Sequence, residues 1–510
     1  MRTSRSTDVL IVGAGPVGLA LAVTLARSGV NCRVIERDSR FREHSLRARG
    51  INPRTLEVFD DLGIVDEIYA RGELNLKIRS YQGPRIVSET DPAAANSPTP
   101  DRPYLGMMML AQHHTEAVLR GRLADYGVKV ELDTALVDYT QDAEQVTATV
   151  RHGEHSEQIT ARYLIGCDGG RSTVRKLTGI PFLGETWDEE RYLMAAVHLD
   201  GLDMDYLHLW EDAEFGVGAL ALIPLRSDGN WAINAAVRPD RHGEVPEPTL
   251  PVFRRLFAER AGLPGVELRD LVWSTVWRPT VRMVERYRSG RVFLAGDAAH
   301  CHSAAGGQGM NTGIQDAHNL GWKLAAVLRG APDALLDSYQ AERLPVARAV
   351  LDATTVQHRA LFREGGANAL ADQFRNRTST AGSDFSGLSI AYRGGPLSRD
   401  LDGSTGVRAG DRAPDALCRT ADGQPVRLFD LFRGPHFTLL HFGDRPPLPG
   451  PPSLPLLRQE TVHDPAGHAR RAYGVTGDAV VLVRPDGYVA LTSGTANLGQ
   501  VSSYVNELVI

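Results

Sequence analysis

The sequence predicts a mixed α/β and α+β chain. A parallel-sheet domain is assembled from three separated pieces, a block of antiparallel strands is inserted between them, and a small α/β module closes the chain. Three observations carry this reading. A strand, a glycine turn and a helix recur at residues 8–37, 161–176 and 290–325. The stretches between them alternate apolar and polar residues, the period of half-buried strands. A Gly- and Ser-rich stretch at 379–406 precedes a new strand–turn–strand pattern.

At 510 residues the chain exceeds what one core supports, so two or three domains are expected. Apolar residues make up 42% and charged residues 23%, which fits a globular chain. The net charge is −6 and no run is rich in Lys or Arg, which argues against nucleic acid and anionic membrane as partners. Cys32, Cys167, Cys301 and Cys418 stand far apart with no C-x-x-C pair. That speaks against a disulfide framework or structural zinc and fits a reducing, cytoplasmic setting. "MRTSR" followed by the apolar run 9–26 resembles a leader or a membrane span. Gly13, Gly15, Gly18 and Pro16 inside that run make a strand, a turn and a buried helix the better reading.

The first unit is the most specific. Residues 9–12 form a continuous apolar run, as a buried parallel strand does. Gly13-x-Gly15-x-x-Gly18 then opens a helix that ends at Gly29, and a second strand, 32–35, finishes at Glu36 and Arg37. Gly13 permits the tight turn and Gly15 the approach of a pyrophosphate. Gly18 permits close packing of helix on strand, while Pro16 and Val17 start the helix whose N–H groups face the phosphates. Glu36 stands where a carboxylate accepts hydrogen bonds from an adenosine ribose. This is a Rossmann-like dinucleotide cradle, and on this motif alone FAD and NAD both fit.

The later units favour FAD. Residues 161–166 form another buried strand before Asp168-Gly169-Gly170 and a helix start at Ser172. The third strand ends in Gly296-Asp297, followed by the loop Gly306-Gly307-Gln308-Gly309-Met310-Asn311 and a long amphipathic helix. A simple NAD enzyme needs neither piece in this order.

These motifs resemble those of the class A flavoprotein monooxygenases of the para-hydroxybenzoate hydroxylase type. The resemblance continues through "SLRARGINPRTLEVFDDLGI" (45–64), "AQHHTEAVLRGRL" (111–123) and "SYQAERLPVARAV" (338–350), and covers about residues 8–365. Bacterial hydroxylases of aromatic polyketides and antibiotics are nearest in pattern. The resemblance implies FAD as cofactor, NADPH or NADH as a transient reductant and O₂ as co-substrate. It implies oxygen transfer to an aromatic ring through a flavin C4a-hydroperoxide. By the same resemblance, Glu36 holds the adenosine ribose, Arg47 or Arg49 reaches the FAD phosphates, and Gln112 contacts the flavin side. Asp168 belongs to the second motif, Asp297 binds the ribityl chain, and the 306–310 amides, Gly307, Gly309 and Met310 among them, face the pyrimidine edge with Asn311 beside them. A helix N-terminus there also stabilises the anionic reduced flavin. Ala304 stands where the family usually carries proline, which leaves the loop facing the substrate open in geometry.

His300-Cys301-His302 invite a metal or thiol reading, but adjacent residues on an extended chain point apart. The triplet reads as loop structure and no metal is expected. His302 alone is kept as a weak catalytic candidate on the substrate side. His208 and Tyr104 also read first as structural, so no general base stands out.

The inserted strands, 76–86 with 104–110 and then 192–199, 206–210, 216–224 and 231–237, predict a sheet laid over the flavin. Tyr104, Met107, Met109, Trp210 and Phe215, with Ala304, are the candidate substrate-pocket residues. The proline-rich stretch 88–103 reads as a long loop and a candidate lid. The expected partition is an FAD-binding domain (1–75, 111–185, 286–378), a substrate-binding β-sheet domain (76–110, 186–285), a linker (379–406) and a final module (407–510). The last resembles the thioredoxin-like tail of many polyketide hydroxylases. Its single cysteine, Cys418, excludes dithiol chemistry, and 446–455 reads as a surface loop.

The expected function is hydroxylation of a polycyclic aromatic, polyketide- or antibiotic-like small molecule. Baeyer–Villiger insertion on the same frame, a flavin dehydrogenase or reductase, and a non-catalytic flavoprotein sequestering an antibiotic are the alternatives. Substrate identity, NADH against NADPH, and monomer against homodimer stay open at this level.

Overall fold

The computed structural model describes residues 5–43, 46, 48–95, 97–212, 214–303, 305–359, 385–402, 405–443, 457–494 and 498–509. Arg47, Ala304 and the 446–455 loop lie outside the described residues.

Four parallel strands place the three glycine turns side by side. Arg5–Val12 pairs with Cys32–Ile35 on one side and His155–Gly166 on the other, and the latter pairs with Val292–Leu294. In register, Val12 faces Ile35 and Gly166, and Gly166 faces Leu294, so all four carboxyl ends finish in one row. The row is the crevice where open α/β sheets bind ligands. Val9, Leu10 and Ile11 are fully buried, which is why this strand shows no alternation. The strand of the second motif runs further back than expected because its first half pairs antiparallel with Val146–His152.

A second sheet of seven strands stands over the crevice. Its order is Glu267–Trp277, Arg191–Asp200, Asn230–Val237, Gly216–Leu225, Tyr206–Asp212, Lys77–Gln82 and Arg85–Thr90. The edge strand Glu267–Trp277 was not foreseen. Met108–Met109 leaves this sheet for a small one with Gly50–Ile51 and Glu73–Leu74. Helix Leu250–Ala261 covers one face, with Phe253 and Phe257 in the same apolar cluster as Trp210, Leu220 and Leu222. The opposite face looks into the cleft.

The final module is built on a five-stranded sheet in the order Arg399–Asp400, Val489–Ser493, Ala479–Val483, Phe437–Phe442, Leu457–Thr461, its first strand coming from the 379–406 stretch. The Pro485-Asp486-Gly487 turn joins two of them, with Gly487 at φ 75°. That turn is also the docking point. Asp486 accepts hydrogen bonds from Asn319 Nδ2 (3.1 Å) and Trp322 Nε1 (3.0 Å), and pairs with Arg484. Arg484 in turn meets Glu342, which Lys323 also approaches at 2.7 Å. All of these charges are buried. Asp486→Ala is expected to cost about 2–4 kcal/mol, because Arg484 loses one of its two carboxylates. Urea unfolding measures this, and an unchanged midpoint would contradict the docking role.

The stretch 379–406 reads as a linker from its composition, yet its described part is packed. Phe385, Tyr392 and Leu397 are buried, and the Tyr392 hydroxyl accepts from Arg343 Nη1 at 3.0 Å. Side-chain anchors won over local flexibility. The candidate lid is likewise tied down at its far end, where the Asp101 carbonyl accepts from Arg412.

Candidate active site

The three motifs converge on one cleft of about 2430 Å³. That is well above the several hundred Å³ of a pocket for one small ligand, and leaves room for a dinucleotide and a multi-ring molecule together. At its floor, Gly13 turns at φ 105°, and a Cβ there would lie 2.5 Å from the Cys167 carbonyl oxygen. Gly18 lets the helix Pro16–Arg27 sit on the turn, since its Cβ would lie 2.0 Å from the Gly13 oxygen. Gly15, in contrast, has open space where a Cβ would be, on the side facing the cleft. The helix has no side-chain cap, so its N–H groups are left for a ligand.

Of the sequence candidates, Gly13, Gly15, Pro16, Val17, Glu36, Arg37, Arg49, Gln112, Asp168, Asp297, Gly307, Gly309 and Met310 line the cleft. Several work on the protein as well. Glu36 accepts from the Ala14 and Asp38 amides at 3.0 and 3.1 Å, bracing the turn it serves. The Gln112 amide accepts from Ala48 N and donates to Glu116, which pins the arginine loop. Asp168 caps its own helix, accepting from the Thr173 amide at 2.6 Å. Two candidates sit behind the wall. Gly18 packs on the turn, and fully buried Asn311 spends its side chain on Asn52, Gly50 and Gly307.

Arg49 bridges the two walls. Its Nη2 lies 2.8 Å from the Asn234 amide oxygen on the seven-stranded sheet, once that amide is oriented to satisfy both its ends. Burial pushes the guanidinium down to about 10, and Nη1 has no partner among the described residues. A cation without a carboxylate, beside uncapped helix ends and open glycines, fits the negative dinucleotide and anionic flavin that the motifs imply. Arg49→Met is expected to weaken FAD binding about 10- to 100-fold, the value of one or two charge-assisted hydrogen bonds. Titration of apoprotein with FAD reads it, and an unchanged Kd would remove Arg49 from the site.

Around the third motif lies a buried chain of bonds. Asp316, on helix Gly309–Leu328, accepts from His300 Nε2 at 2.6 Å, Arg343 Nε at 2.7 Å and the Gly296 amide at 3.3 Å. Burial alone would raise the Asp316 carboxyl, but His300 and Arg343 hold it below its usual range. His300 Nδ1 meets His302 Nε2 at 2.8 Å. His300 is committed to His302 and Asp316, while His302 Nδ1 has no partner among the described residues. Burial, with the Asp297 charge, pushes the Cys301 thiol well up, which leaves it no nucleophile.

Burial also pushes His302 down to about 3 and His318 down to about 4. Both are neutral when folded, while the unfolded imidazoles take up protons below about 6.5. Their contribution to stability is therefore complete above pH 6.5 and falls as pH drops toward 4. Between pH 7 and 5 the expected loss is on the order of 1–2 kcal/mol for each histidine. Urea midpoints at the two pH values, for the native chain and for His318→Leu, measure it. A variant with the same pH slope as the native chain would contradict the assignment.

The substrate-pocket candidates divide. Met107 and Met109 line the cleft, and His302 does too. Trp210 does not: it is fully buried on the helix-covered face, stacked 4.5 Å from Tyr81. His208 shares that face, bonded to Tyr81 and the Asp203 carbonyl. Tyr104 lies in the main core with its hydroxyl on Asp60, and Phe215 sits under Arg238 and Arg260. The wall is instead made by Tyr192, Met194, Leu207, Leu209, Ile223, Trp273 and Trp277. Alternation in 206–212 was the available signal, but it does not say which of its two faces the helix covers.

Family comparison agrees with this geometry. The FAD binding domain family matches residues 6–354, and the aromatic-ring hydroxylase C-terminal family matches residues 407–507. The chain belongs to the FAD-binding aromatic-ring hydroxylases. It is 41% identical to a flavin-dependent monooxygenase of Mycobacteroides abscessus, over 95% of this chain and 96% of that one. It is 36% identical to the 6-methylpretetramide 4-monooxygenase of Streptomyces rimosus, over 96% and 92%. The hydroxylase superposes on aklavinone-11 hydroxylase, solved with FAD and aklavinone, with a TM-score of 0.82 at 27% identity and complete coverage of both chains. It is thus a flavin-dependent aromatic monooxygenase. Among its described residues no helix is long and apolar enough to cross a membrane.

Proposed function

We propose that this hydroxylase adds one oxygen atom to a polycyclic phenol of the polyketide or antibiotic type, with NADPH or NADH as the reductant. The observation that carries the reading is the second wall of the cleft. Tyr192, Met194, Leu209, Ile223, Trp273 and Trp277 give an apolar and aromatic lining to the same cleft that the Gly306–Met310 loop lines. Such a surface suits flat fused rings, which stack on aromatic side chains and exclude water. The relatives' names, 6-methylpretetramide and aklavinone, support the same substrate class.

Bound FAD, reduced by the nicotinamide coenzyme, supplies the activation of O₂. The chain's part is to hold it. Gly13–Val17 and Glu36 take the adenosine half, Arg49 the negative charge, Asp297 and the Gly307–Met310 amides the flavin end. The sheet wall then fixes which ring carbon meets it. For the final module, the strand order with Phe437–Phe442 parallel to Leu457–Thr461 and antiparallel to Ala479–Val483 supports a thioredoxin-like fold. The partition into an FAD domain, an inserted sheet domain and this module is part of the same proposal. The four unpaired cysteines support a reducing, cytoplasmic setting.

The test is coenzyme oxidation by FAD-loaded enzyme against a panel of polycyclic phenols and aromatic antibiotics, with product masses read in the same samples. Stimulated consumption with one added oxygen is expected. Stimulation without oxygen gain would point to a dehydrogenase and overturn the reading.

A further inference from the structure

We propose that His113, His114 and Asp228 form a binding site for a divalent ion of the zinc type, which ties helix Gln112–Asp125 to a turn of the seven-stranded sheet. His114 Nε2 lies 2.6 Å and His113 Nε2 3.2 Å from Asp228 Oδ1. All three atoms fall within 4.8 Å of one another. A tetrahedral ion with bonds of about 2.0–2.1 Å holds its donors about 3.3 Å apart. The His113 distance therefore fits as it stands, and the His114 distance has to open by less than about 1 Å.

The two rings owe their convergence to the helix. Neighbours on a strand point to opposite faces, whereas neighbours on a helix are about 100° apart and can flank one point beside the axis. The imidazoles stand with centroids 4.2 Å apart, and both turn Nε2 toward the same carboxylate oxygen. Asp228 is placed by its backbone. It ends the short turn Arg226–Asp228, and Gly229 after it takes φ 64°, which lets the chain reverse into strand Asn230–Val237. His114 and Asp228 are 114 residues apart in sequence, so no local motif announces the set.

Two imidazole nitrogens and one carboxylate oxygen make a mixed donor set. Zinc accepts such a set, whereas calcium and magnesium call for oxygen donors throughout. Side-chain exposures of 12%, 20% and 14% for His113, His114 and Asp228 leave an edge through which the ion enters and where water completes the fourth position. The nearest cation along the chain is neutralised, since Arg226 pairs with Glu73 at 2.6 Å and with Asp205. When the ion binds, each imidazole presents a bare Nε2 and keeps its proton on Nδ1, and the carboxylate stays ionised.

None of the three residues lines the cleft, yet the site touches elements from both of its sides. Gln112 starts the helix and accepts from Ala48 N in the arginine loop. Strands Gly216–Leu225 and Asn230–Val237, on either side of the turn, carry Ala221, Ile223 and Asn234 into the cleft lining. A bound ion thus fixes the spacing of cradle and wall, whichever reaction the cleft runs.

For the test, FAD-loaded enzyme is cleared of metal with a chelator and dialysed against low-micromolar zinc ion. The proteins are the native chain, His114→Gln, Asp228→Asn and, as a control at an exposed histidine, His155→Asn. Flavin absorbance reports that each is folded and holds FAD. The native chain and His155→Asn are expected to retain about one zinc per chain. The two site variants are expected to lose about 100-fold or more in affinity, beyond the cost of removing a supporting partner. X-ray absorption at the zinc edge is expected to show nitrogen and oxygen at about 2.0–2.1 Å and no sulfur at about 2.3 Å. Zinc is also expected to raise the urea midpoint of the native chain and not that of Asp228→Asn. No retained zinc would overturn the site and leave the three groups as hydrogen bonds alone. Sulfur ligation, or retention by both site variants equal to that of the native chain, would overturn it as well. Bound zinc that leaves the native urea midpoint unchanged would overturn the tie between helix and sheet.

Discussion

An Asp316→Ala variant is expected to lose about 3–5 kcal/mol of stability, the largest single effect in the chain, because it leaves a buried cation without its counter-charge. Arg343 is fully buried and reaches Asp316 Oδ1 through Nε, with its other nitrogens on the Thr312 carbonyl and the Tyr392 hydroxyl. Neither of those neutral partners replaces a carboxylate. His300 loses its acceptor in the same substitution, and the Gly296 amide loses a partner. The damage therefore reaches the Gly296-Asp297 turn, and weaker FAD retention is expected alongside the lower urea midpoint. Asp316→Asn keeps the shape and loses the charge, and is expected to fall between the two. The pH dependence has a definite sign. The folded carboxyl sits below its usual range, so its contribution is complete above about pH 4 and is lost as pH falls through the folded value. A native-like midpoint for Asp316→Ala would show that Arg343 finds another anion.

Gly18→Val is expected to abolish stable FAD binding while leaving most of the fold in place. Its first added carbon would lie 2.0 Å from the Gly13 carbonyl oxygen, a distance that neither backbone segment absorbs without moving. The helix must lift off the strand, which draws its uncapped N-terminus away from the phosphates. A loss of about 100-fold or more in FAD affinity is expected, equivalent to about 2.7 kcal/mol. Fluorescence titration of the apoprotein measures it, and a Kd within about threefold of the native value would mean that the turn tolerates a shifted helix.

The cradle was legible because its chemistry is local. Gly13, Gly15, Gly18 and Glu36 fall within one strand–turn–helix–strand unit, where each spacing has one geometric meaning. The apolar wall of the cleft was less so. Trp210 and Leu209 differ by a single residue, and alternation fixes that they face opposite ways without fixing which way is inward; helix Leu250–Ala261, far along the chain, decides it. Trp273 and Trp277 were missed because "ELRDLVWSTVW" does not alternate cleanly. Asn311 lies on the inner side of its loop, bonded to Asn52, Gly50 and Gly307, since a helical turn presents neighbouring residues to different surroundings. The Asp316–His300–Arg343 grouping joins separate elements and exists only once the chain is folded. The charged network around Asp486 belongs to the same class: the turn could be read, but its partners on two other helices could not.

The fate of molecular oxygen decides whether the enzyme is a ring hydroxylase. FAD-loaded enzyme, coenzyme and the most stimulating phenol from the panel are incubated under ¹⁸O₂, and the product is examined by mass spectrometry and fragmentation. One labelled oxygen per product molecule is expected, carried as a new hydroxyl on an aromatic ring. An unlabelled oxidised product, or a label confined to hydrogen peroxide and water, would contradict it.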